Sequence, residues 1–381
     1  MKIIFASNYF NHHQAPFSEA MNKLTNGQYC FIETEKMDSE RIAMGWGLKE
    51  KPCFVVRWDE ADGKLQQMLT SADAVITGSA PEELIKDRLK SGKLVLRYSE
   101  RWYKKVRGEL KLPFRIIKNH LKFARNRNTY MLCASAYTAA DCAKSHLYLG
   151  KTYKWGYFPA AKKLEIEKVI AEKKPATLLW AGRFIDWKHP EVSIRVCARL
   201  KAEGYHFSLS MIGCGEMEQQ LSEMIRTYGL EDCVNILGSM KPEEVRKHME
   251  ESEIFLFTSD RQEGWGAVLN EAMNSGCAVV ASSAIGSVPF LLDDGENGYI
   301  YQDGNLDSLY KKLKDLYLNP NKRIQFGKKA YQTITELWNA DVAAERLLYL
   351  IEDIQKFGTS DRFKTGPCSK AEIIKDGWYK E

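Results

Sequence analysis

The chain has 381 residues, 44% of them apolar and 28% charged, with a formal net charge of +5, which suits a soluble protein of two ordinary domains that each bury a core. No stretch approaches the roughly 20 apolar residues of a membrane-spanning helix, and the apolar opening at residues 2–6 is too short for a signal peptide. Nine cysteines, odd in number and without a C-x-x-C pair, exclude the spacing of a zinc site or a disulfide framework and read as reduced core residues of a cytoplasmic protein.

Residues 2–6 read as a first buried strand. The loop after it, Ser7-Asn8-Tyr9-Phe10-Asn11-His12-His13-Gln14, lacks the Gly-x-Gly-x-x-Gly of dinucleotide-binding folds, which argues against nicotinamide chemistry. Asn11, His12, His13 and Gln14 offer side-chain hydrogen bonds at a cleft, or else cap the next helix. Adjacent histidines point to a metal only when further ligands can be named, and none can. Further strands are predicted at 30–33, 54–57, 74–77, 94–98 and 130–134, with helical patterns between them. The strand at 94–98 runs into Ser99 and Glu100. A carboxylate there can take a proton from an acceptor hydroxyl if it lies within hydrogen-bond reach, or it can pair with Arg97 or Arg101.

Residues 101–127 hold ten basic side chains against one acid, Glu109, interleaved with aromatic and aliphatic groups and interrupted at Pro113. That pattern fits contact with an anionic membrane surface, or a solvated helix face. No nucleic-acid fold accompanies it, so a nucleic-acid partner is not expected. A polar stretch at 164–175 leads to a strand at 177–182, and a second series follows at 208–212, 234–237, 254–258, 278–282 and 298–301. Strand and helix alternation predicts an α/β chain with two doubly wound domains, residues 1–160 and 161–356, and a tail, 357–381, that returns to the first. Ligands of open parallel sheets lie beyond the carboxyl ends of the strands, so a site is expected in a cleft between two facing sheets.

In the second half each motif follows a predicted strand. Gly182-Arg183 and Lys188 come after the first, Gly213-Cys214-Gly215 after the next, and Gly238 after the third. Glu263-Gly264-Trp265-Gly266-Ala267-Val268-Leu269-Asn270-Glu271 sets two carboxylates either side of seven residues. Glycines let backbone N–H groups approach a ligand, and the following helix start, predicted over about 266–275, favours anions. Glu271 falls in the second turn of that helix and Glu263 in the preceding loop, so the two need not act as a pair. Ser283-Ala284-Ile285-Gly286-Ser287-Val288-Pro289 follows, and Asp294-Gly295-Glu296-Asn297-Gly298 reads as a structural turn.

This order of motifs resembles the donor-binding half of the retaining GT-B glycosyltransferases of family 4, over about residues 178–313; the first half is similar in architecture. The resemblance implies a GT-B fold and catalytic roles for Arg183 and Lys188 on the donor diphosphate and for Glu263 beside the donor sugar. It also implies Glu271 on the ribose hydroxyls, the backbone of Gly264, Trp265, Gly266 and Ala267 near sugar and diphosphate, and Gly213, Gly215 and Gly238 around the nucleotide. The chain departs from the family in two places: its first loop has no glycines, and Ser99 or Glu100 stands where many relatives carry a histidine. The implied activity is transfer of a sugar from a nucleoside diphosphate sugar, a UDP-sugar, to a hydroxyl of a glycan with retention. The implied acceptor is a lipid-linked precursor of a bacterial surface polysaccharide such as capsule or lipopolysaccharide, used in the cytoplasm or at the inner face of the plasma membrane. The donor is a co-substrate; no cofactor and no metal are expected. Two other readings stay open: a GT-B nucleotide-sugar enzyme such as a 2-epimerase, and a non-catalytic glycan or membrane adaptor.

Overall fold

The structure is a computed structural model that describes residues 1–39, 42, 47–48, 50–60, 63–104, 114, 117 and 127–380. Most of the basic stretch at 101–127, and with it the expected membrane contact, lies outside the described residues. The chain forms two compact units, one of Met1–Ala160 with Leu337–Lys375, the other of Ala161–Glu336 with the last residues from Asp376 on.

The first unit is built on strands β1 (Ile3–Ser7), β2 (Tyr29–Glu33), β3 (Val55–Arg57), β4 (Ala74–Thr77), β5 (Val95–Ser99), β6 (Thr129–Cys133) and β7 (Thr152–Lys154). They form one sheet in the order β3-β2-β1-β4-β5-β6-β7, parallel throughout. Helices cover both faces of such a sheet, which is why β1 reads as an unbroken apolar run rather than an alternating one. Ile4, Ala6, Ile32, Val75 and Val95 pack with Leu65 and Leu69 of the helix Lys64–Ser71. Phe5 meets Phe17 of the helix Ala15–Leu24 edge-on, at 6.3 Å between ring centroids.

Against Ala15–Leu24 lies the helix Ala340–Phe357. Its buried stripe of Ala343, Ala344, Leu347, Leu350, Ile351 and Ile354 has the three-and-four spacing of an amphipathic helix. The Asn339 side chain caps it by accepting from the Val342 N–H at 3.0 Å, and Gly358 ends it at φ +75°, the left-handed geometry of a helix stop. The segment 337–356, assigned on sequence to the second domain, therefore belongs with the first, because its apolar stripe has its partner there. The tail continues along β7, where the Lys154 N–H donates to the Ser369 carbonyl and the Cys368 N–H to the Lys154 carbonyl, both at 2.8 Å. Only its end, residues 376–380, departs from the expected return: Asp376 pairs with Arg261 at 3.2 Å and the Trp378 indole donates to the Ser283 carbonyl at 3.2 Å, both in the second unit.

The second unit holds β8 (Lys174–Ala181), β9 (Ser208–Ile212), β10 (Val234–Gly238), β11 (Ser252–Phe257), β12 (Ala278–Ser282) and β13 (Tyr299–Tyr301), a sheet in the order β10-β9-β8-β11-β12-β13, again all parallel. Leu178, Leu209, Met211, Ile254, Leu256, Ala278 and Val280 line its core with Phe184, Ile194, Leu309 and Leu313. Chain order runs outward from β8 through β9 to β10, and outward from β11 to β13 on the other side. The winding thus reverses between β8 and β11, and in the first sheet between β1 and β4. Loops leaving adjacent strands at such a reversal go to opposite faces, so a crevice opens between them.

Leu347 is wholly buried, so Leu347→Ala is expected to cost about 2–5 kcal/mol in the urea unfolding of the first unit. A cost under about 0.5 kcal/mol would mean that the helix is not docked there.

Candidate functional site

At the carboxyl edge of the second sheet, three loops are laced to one another. The loop after β9 packs its backbone directly on the loop after β8: Gly182 donates to Ile212 (3.0 Å), Phe184 to Cys214 (2.8 Å), and Gly213 to Gly238 (2.9 Å). Gly213 lies at φ +145°, where a Cβ would fall 1.8 Å from the Gly182 carbonyl oxygen, and a Cβ on Gly215 would fall 2.4 Å from that of Phe184. Both glycines are thus required by the fold, whatever else they touch. Gly238, at φ +74° at the end of β10, has nothing within 4 Å of where a Cβ would lie.

The loops after β8 and β11 meet at the winding reversal. Lys188 forms an ion pair with Glu263 through Nζ and Oε2, with the two side chains 13% and 10% exposed. The Ser259 hydroxyl donates to the same carboxylate oxygen at 3.1 Å. Lys188 Nζ also stands 4.9 Å from the centre of the Trp187 ring, and the Arg183 guanidinium is 5.9 Å from it, so one indole meets two cations. Arg183 itself is exposed. The Asp260 N–H donates to the Trp187 carbonyl at 2.9 Å, and the Thr258 hydroxyl faces the carbonyls of Lys188 (2.9 Å) and His189 (2.8 Å).

Gly266 adopts φ +84°, with the Phe257 ring 2.4 Å and the Glu263 Cγ 3.1 Å from an added Cβ. This turn drops Trp265 into the core, fully buried with its indole donating to Asn270 at 2.9 Å. Only the backbone of Trp265 is left to face a ligand. The helix that follows, Val268–Asn274, starts two residues later than the pattern suggested and carries Glu271. Burial pushes the Glu271 carboxyl up to about 7, against the pull of Arg246 and Lys162. Arg246 is held by Asn274, which also accepts from the Lys162 N–H at 2.8 Å. Glu263 and Glu271 therefore sit in separate environments, one paired with an ammonium and one poised near neutrality.

Sequence reasoning left several residues here without a role. His189 bridges Glu191 (Nδ1–Oε1 3.0 Å) and Asp260 (Nε2–Oδ2 3.7 Å); the signal was a histidine next to the expected phosphate-binding lysine. Asp303 accepts from Ser282 at 3.1 Å, and burial raises its carboxyl above the usual range.

In the first unit, the Asn11 side chain accepts from the N–H groups of His13 (2.9 Å) and Gln14 (3.2 Å), shaping the entry to the helix Ala15–Leu24. The His12 and His13 rings lie 3.9 Å apart, tilted to one another, and burial with His12 alongside holds the His13 imidazole down to about 3, neutral at physiological pH. Glu100 accepts from the Tyr157 hydroxyl (2.6 Å) and from Lys104 (2.6 Å), so its ion pair is with Lys104 rather than with the expected Arg97 or Arg101. Ser99 accepts from the Trp102 indole at 3.1 Å. Among the described residues no group of three or more His, Cys, Asp or Glu could hold a metal ion, and no helix is long and apolar enough to cross a membrane.

Residues 162–333, within the second unit, match the model of the family "Glycosyl transferases group 1". The chain is 29% identical over 196 residues to the amylovoran biosynthesis glycosyltransferase AmsK of Erwinia amylovora, covering 50% of this chain and 48% of that protein. It is 25% identical over 191 residues to the poly(ribitol-phosphate) alpha-N-acetylglucosaminyltransferase of Staphylococcus aureus, covering 50% and 36%. The chain thus spans about half the length or less of these curated relatives. Its fold follows that of Anabaena HepE, solved in complex with UDP, at a TM-score of 0.67 and 14% identity over 93% of this chain and 100% of that one. The fold is GT-B.

The glycine geometry separates two substitutions. Gly213→Ala is expected to lower the melting temperature of the second unit sharply, because its methyl would enter the Gly182 carbonyl. Gly238→Ala should cost only about 1–2 kcal/mol, the cost of left-handed backbone. Equal effects in calorimetry would refute the close packing of the two loops.

Proposed function

We propose that the chain is a retaining glycosyltransferase that moves a sugar from a UDP-sugar to a hydroxyl of a lipid-linked glycan in the assembly of a bacterial surface polysaccharide. The observation that carries this reading is the Lys188–Glu263 pair at the winding reversal of a glycosyl transferases group 1 unit, the position where such sheets take nucleotides. The choice of UDP is supported by HepE, whose structure holds UDP. The choice of a surface polysaccharide is supported by the relatives named for amylovoran and poly(ribitol-phosphate).

In this reading the donor diphosphate takes Lys188 from Glu263 and draws in Arg183 from the surface. Glu263, released, accepts hydrogen bonds from hydroxyls of the donor sugar, and Glu271 accepts from the ribose. As the bond from the anomeric carbon to the phosphate oxygen breaks, charge grows on that oxygen, and fixed cations stabilise it more in the transition state than in the ground state. The acceptor hydroxyl bonds to the anomeric carbon on the face the phosphate leaves, and its proton passes to the departing phosphate oxygen. This route retains configuration without the paired carboxylates of a glycosidase, and it suits a site where Glu263 and Glu271 lie apart. Asn11, His12, His13, Gln14, Ser99 and Glu100 are proposed as acceptor contacts. No metal or other cofactor takes part, and the enzyme works in the cytoplasm or on the inner face of the plasma membrane.

Release of UDP from UDP-glucose, UDP-galactose and UDP-N-acetylglucosamine, with and without a lipid-linked oligosaccharide extract, tests the reading. Turnover that depends on the extract and yields an α-linked product from an α-donor supports it; turnover without acceptor makes the chain an epimerase, and none with any donor an adaptor. Lys188→Ala should lower kcat by about 10²–10³ with the protein still folded.

Glu271 makes donor binding depend on pH. Its carboxyl is pushed up to about 7 in the free protein, and ribose hydroxyls favour the ionised form. The Kd for a UDP-sugar, whose phosphates do not titrate in this window, should therefore weaken about tenfold from pH 8 to pH 6. Glu271→Gln should bind weakly at both. A native Kd that is flat across the window, measured by calorimetry, would remove Glu271 from the ribose site.

A further inference from the structure

His189 ends the short turn Asp186–Lys188 and precedes the helix Pro190–Ala202. Its backbone sits at φ +48°, ψ +50°, the left-handed region that glycine occupies at no steric cost and a side chain does not. A residue with a Cβ held there needs a return from its side chain. That return is visible on both ring nitrogens: Nδ1 lies 3.0 Å from Glu191 at the start of the helix, and Nε2 lies 3.7 Å from Asp260 in the loop after β11. With a carboxylate opposite each nitrogen, the ring carries both protons, and Asp260 first and then Glu191 hold the imidazolium up to about 10.

The bridge lies between the two residues whose spacing matters. Lys188 is the preceding residue, and Glu263 lies three residues past Asp260. The loops are also tied by the Lys188–Glu263 pair, by the Asp260 N–H on the Trp187 carbonyl, and by the Thr258 hydroxyl on the carbonyls of Lys188 and His189. The ionisable groups that face His189 are Glu191, Asp260 and, from the loop after β13, Asp303. Without the imidazolium these acids would stand uncompensated beside the place where an anion is to bind.

We infer that His189 is a positioning residue for the donor site, an ionic bridge that joins the loops after β8 and β11, holds Lys188 opposite Glu263, and offsets the acids around a bound diphosphate. The inference rests on the glycosyltransferase reading for what is bound, though the bridge itself does not. In this chain the side chain thus does work at a position whose backbone a glycine would satisfy.

His189→Gly relieves the backbone and deletes the bridge. The melting temperature should hold or rise, while the Kd for UDP weakens about tenfold or more and kcat falls further, since misplacement by about 1 Å can cost on the order of 100-fold. Added imidazole should recover part of both. If His189→Gly binds UDP and turns over as the native protein does, the inference is overturned. A second arm covers a variant that does not fold or a native protein that binds no UDP, a result that would count against the proposed function alone. In ¹⁵N NMR of the native protein at pH 8.5, the His189 ring should read as imidazolium, and Asp260→Asn should lower its titration while Glu191 still holds it above an ordinary imidazole. A native ring already neutral at pH 8.5 sinks the bridge.

Discussion

The reversal of winding between β8 and β11 is the constraint on which the site depends. Neighbouring strands in a parallel sheet run in the same direction, so both deliver their following loops to one edge, and at the reversal nothing crosses the gap between those loops. The sequence fills that gap with charge of both signs. Lys188 comes from one side and Glu263 from the other, each nearly enclosed. At such burial neither ion is stable alone, because removing one leaves the other desolvated without a partner. The pair is therefore a lock with a built-in competitor: an anion can take the lysine only by replacing the carboxylate, and the carboxylate then needs donors of its own. A ligand with phosphates at one end and hydroxyls next to them meets both demands together.

Precision at that gap comes from polar groups well behind it. The Lys173 ammonium is buried and donates to the carbonyls of Met249 (2.8 Å), Glu250 (3.1 Å), Ser252 (2.9 Å) and Ser275 (2.9 Å). Those carbonyls close the helices Pro242–Glu251 and Val268–Asn274, ends that lack intrahelical partners and carry partial negative charge. One cation thus fixes the rear of the helix that presents Glu271 to the same point as the root of β11. On the other side, the absence of a Cβ at Gly213 and Gly215 lets the β9 loop rest on the β8 loop at backbone distance. Side chains at the site are positioned by neighbours that never meet a ligand.

Sequence patterns revealed the alternation of strands and helices and the loops that bear charge, since both are local. Burial on both faces writes itself as apolar runs, and Arg183, Lys188, Glu263 and Glu271 stand where such runs end. What was not legible depended on partners distant in sequence. β7 has three residues, Thr152–Lys154, with no apolar run; it exists because β6 and the returning tail flank it. The helix Ala340–Phe357 had a clear stripe, but nothing in the stripe says which sheet it covers. For Trp265 the sequence placed only the backbone near a ligand; that its ring turns inward to Asn270 depends on the turn at Gly266, which no local pattern states. Glu100 had Arg97 and Arg101 near it in sequence, while its partners are Lys104, four residues on, and Tyr157, beyond β7.

The charges gathered at the reversal have a further physical consequence. Asp260, Glu191, Glu263 and Asp303 outnumber Lys188 and His189 within the crevice, with Arg183 exposed at its edge. In the proposed function, a site of this balance repels a free anion until cations are redirected, so selectivity comes from rearrangement rather than from a standing positive field. A monoanion gains Lys188 but leaves Glu263 buried and unmatched, whereas a diphosphate bearing a sugar supplies charge for Lys188 and Arg183 and hydroxyl donors for Glu263. Differences of this kind, where the wrong ligand leaves a buried polar group unpaired, discriminate more strongly than added contacts do. In the proposed function, the ion pair thus selects for the intact donor over its fragments.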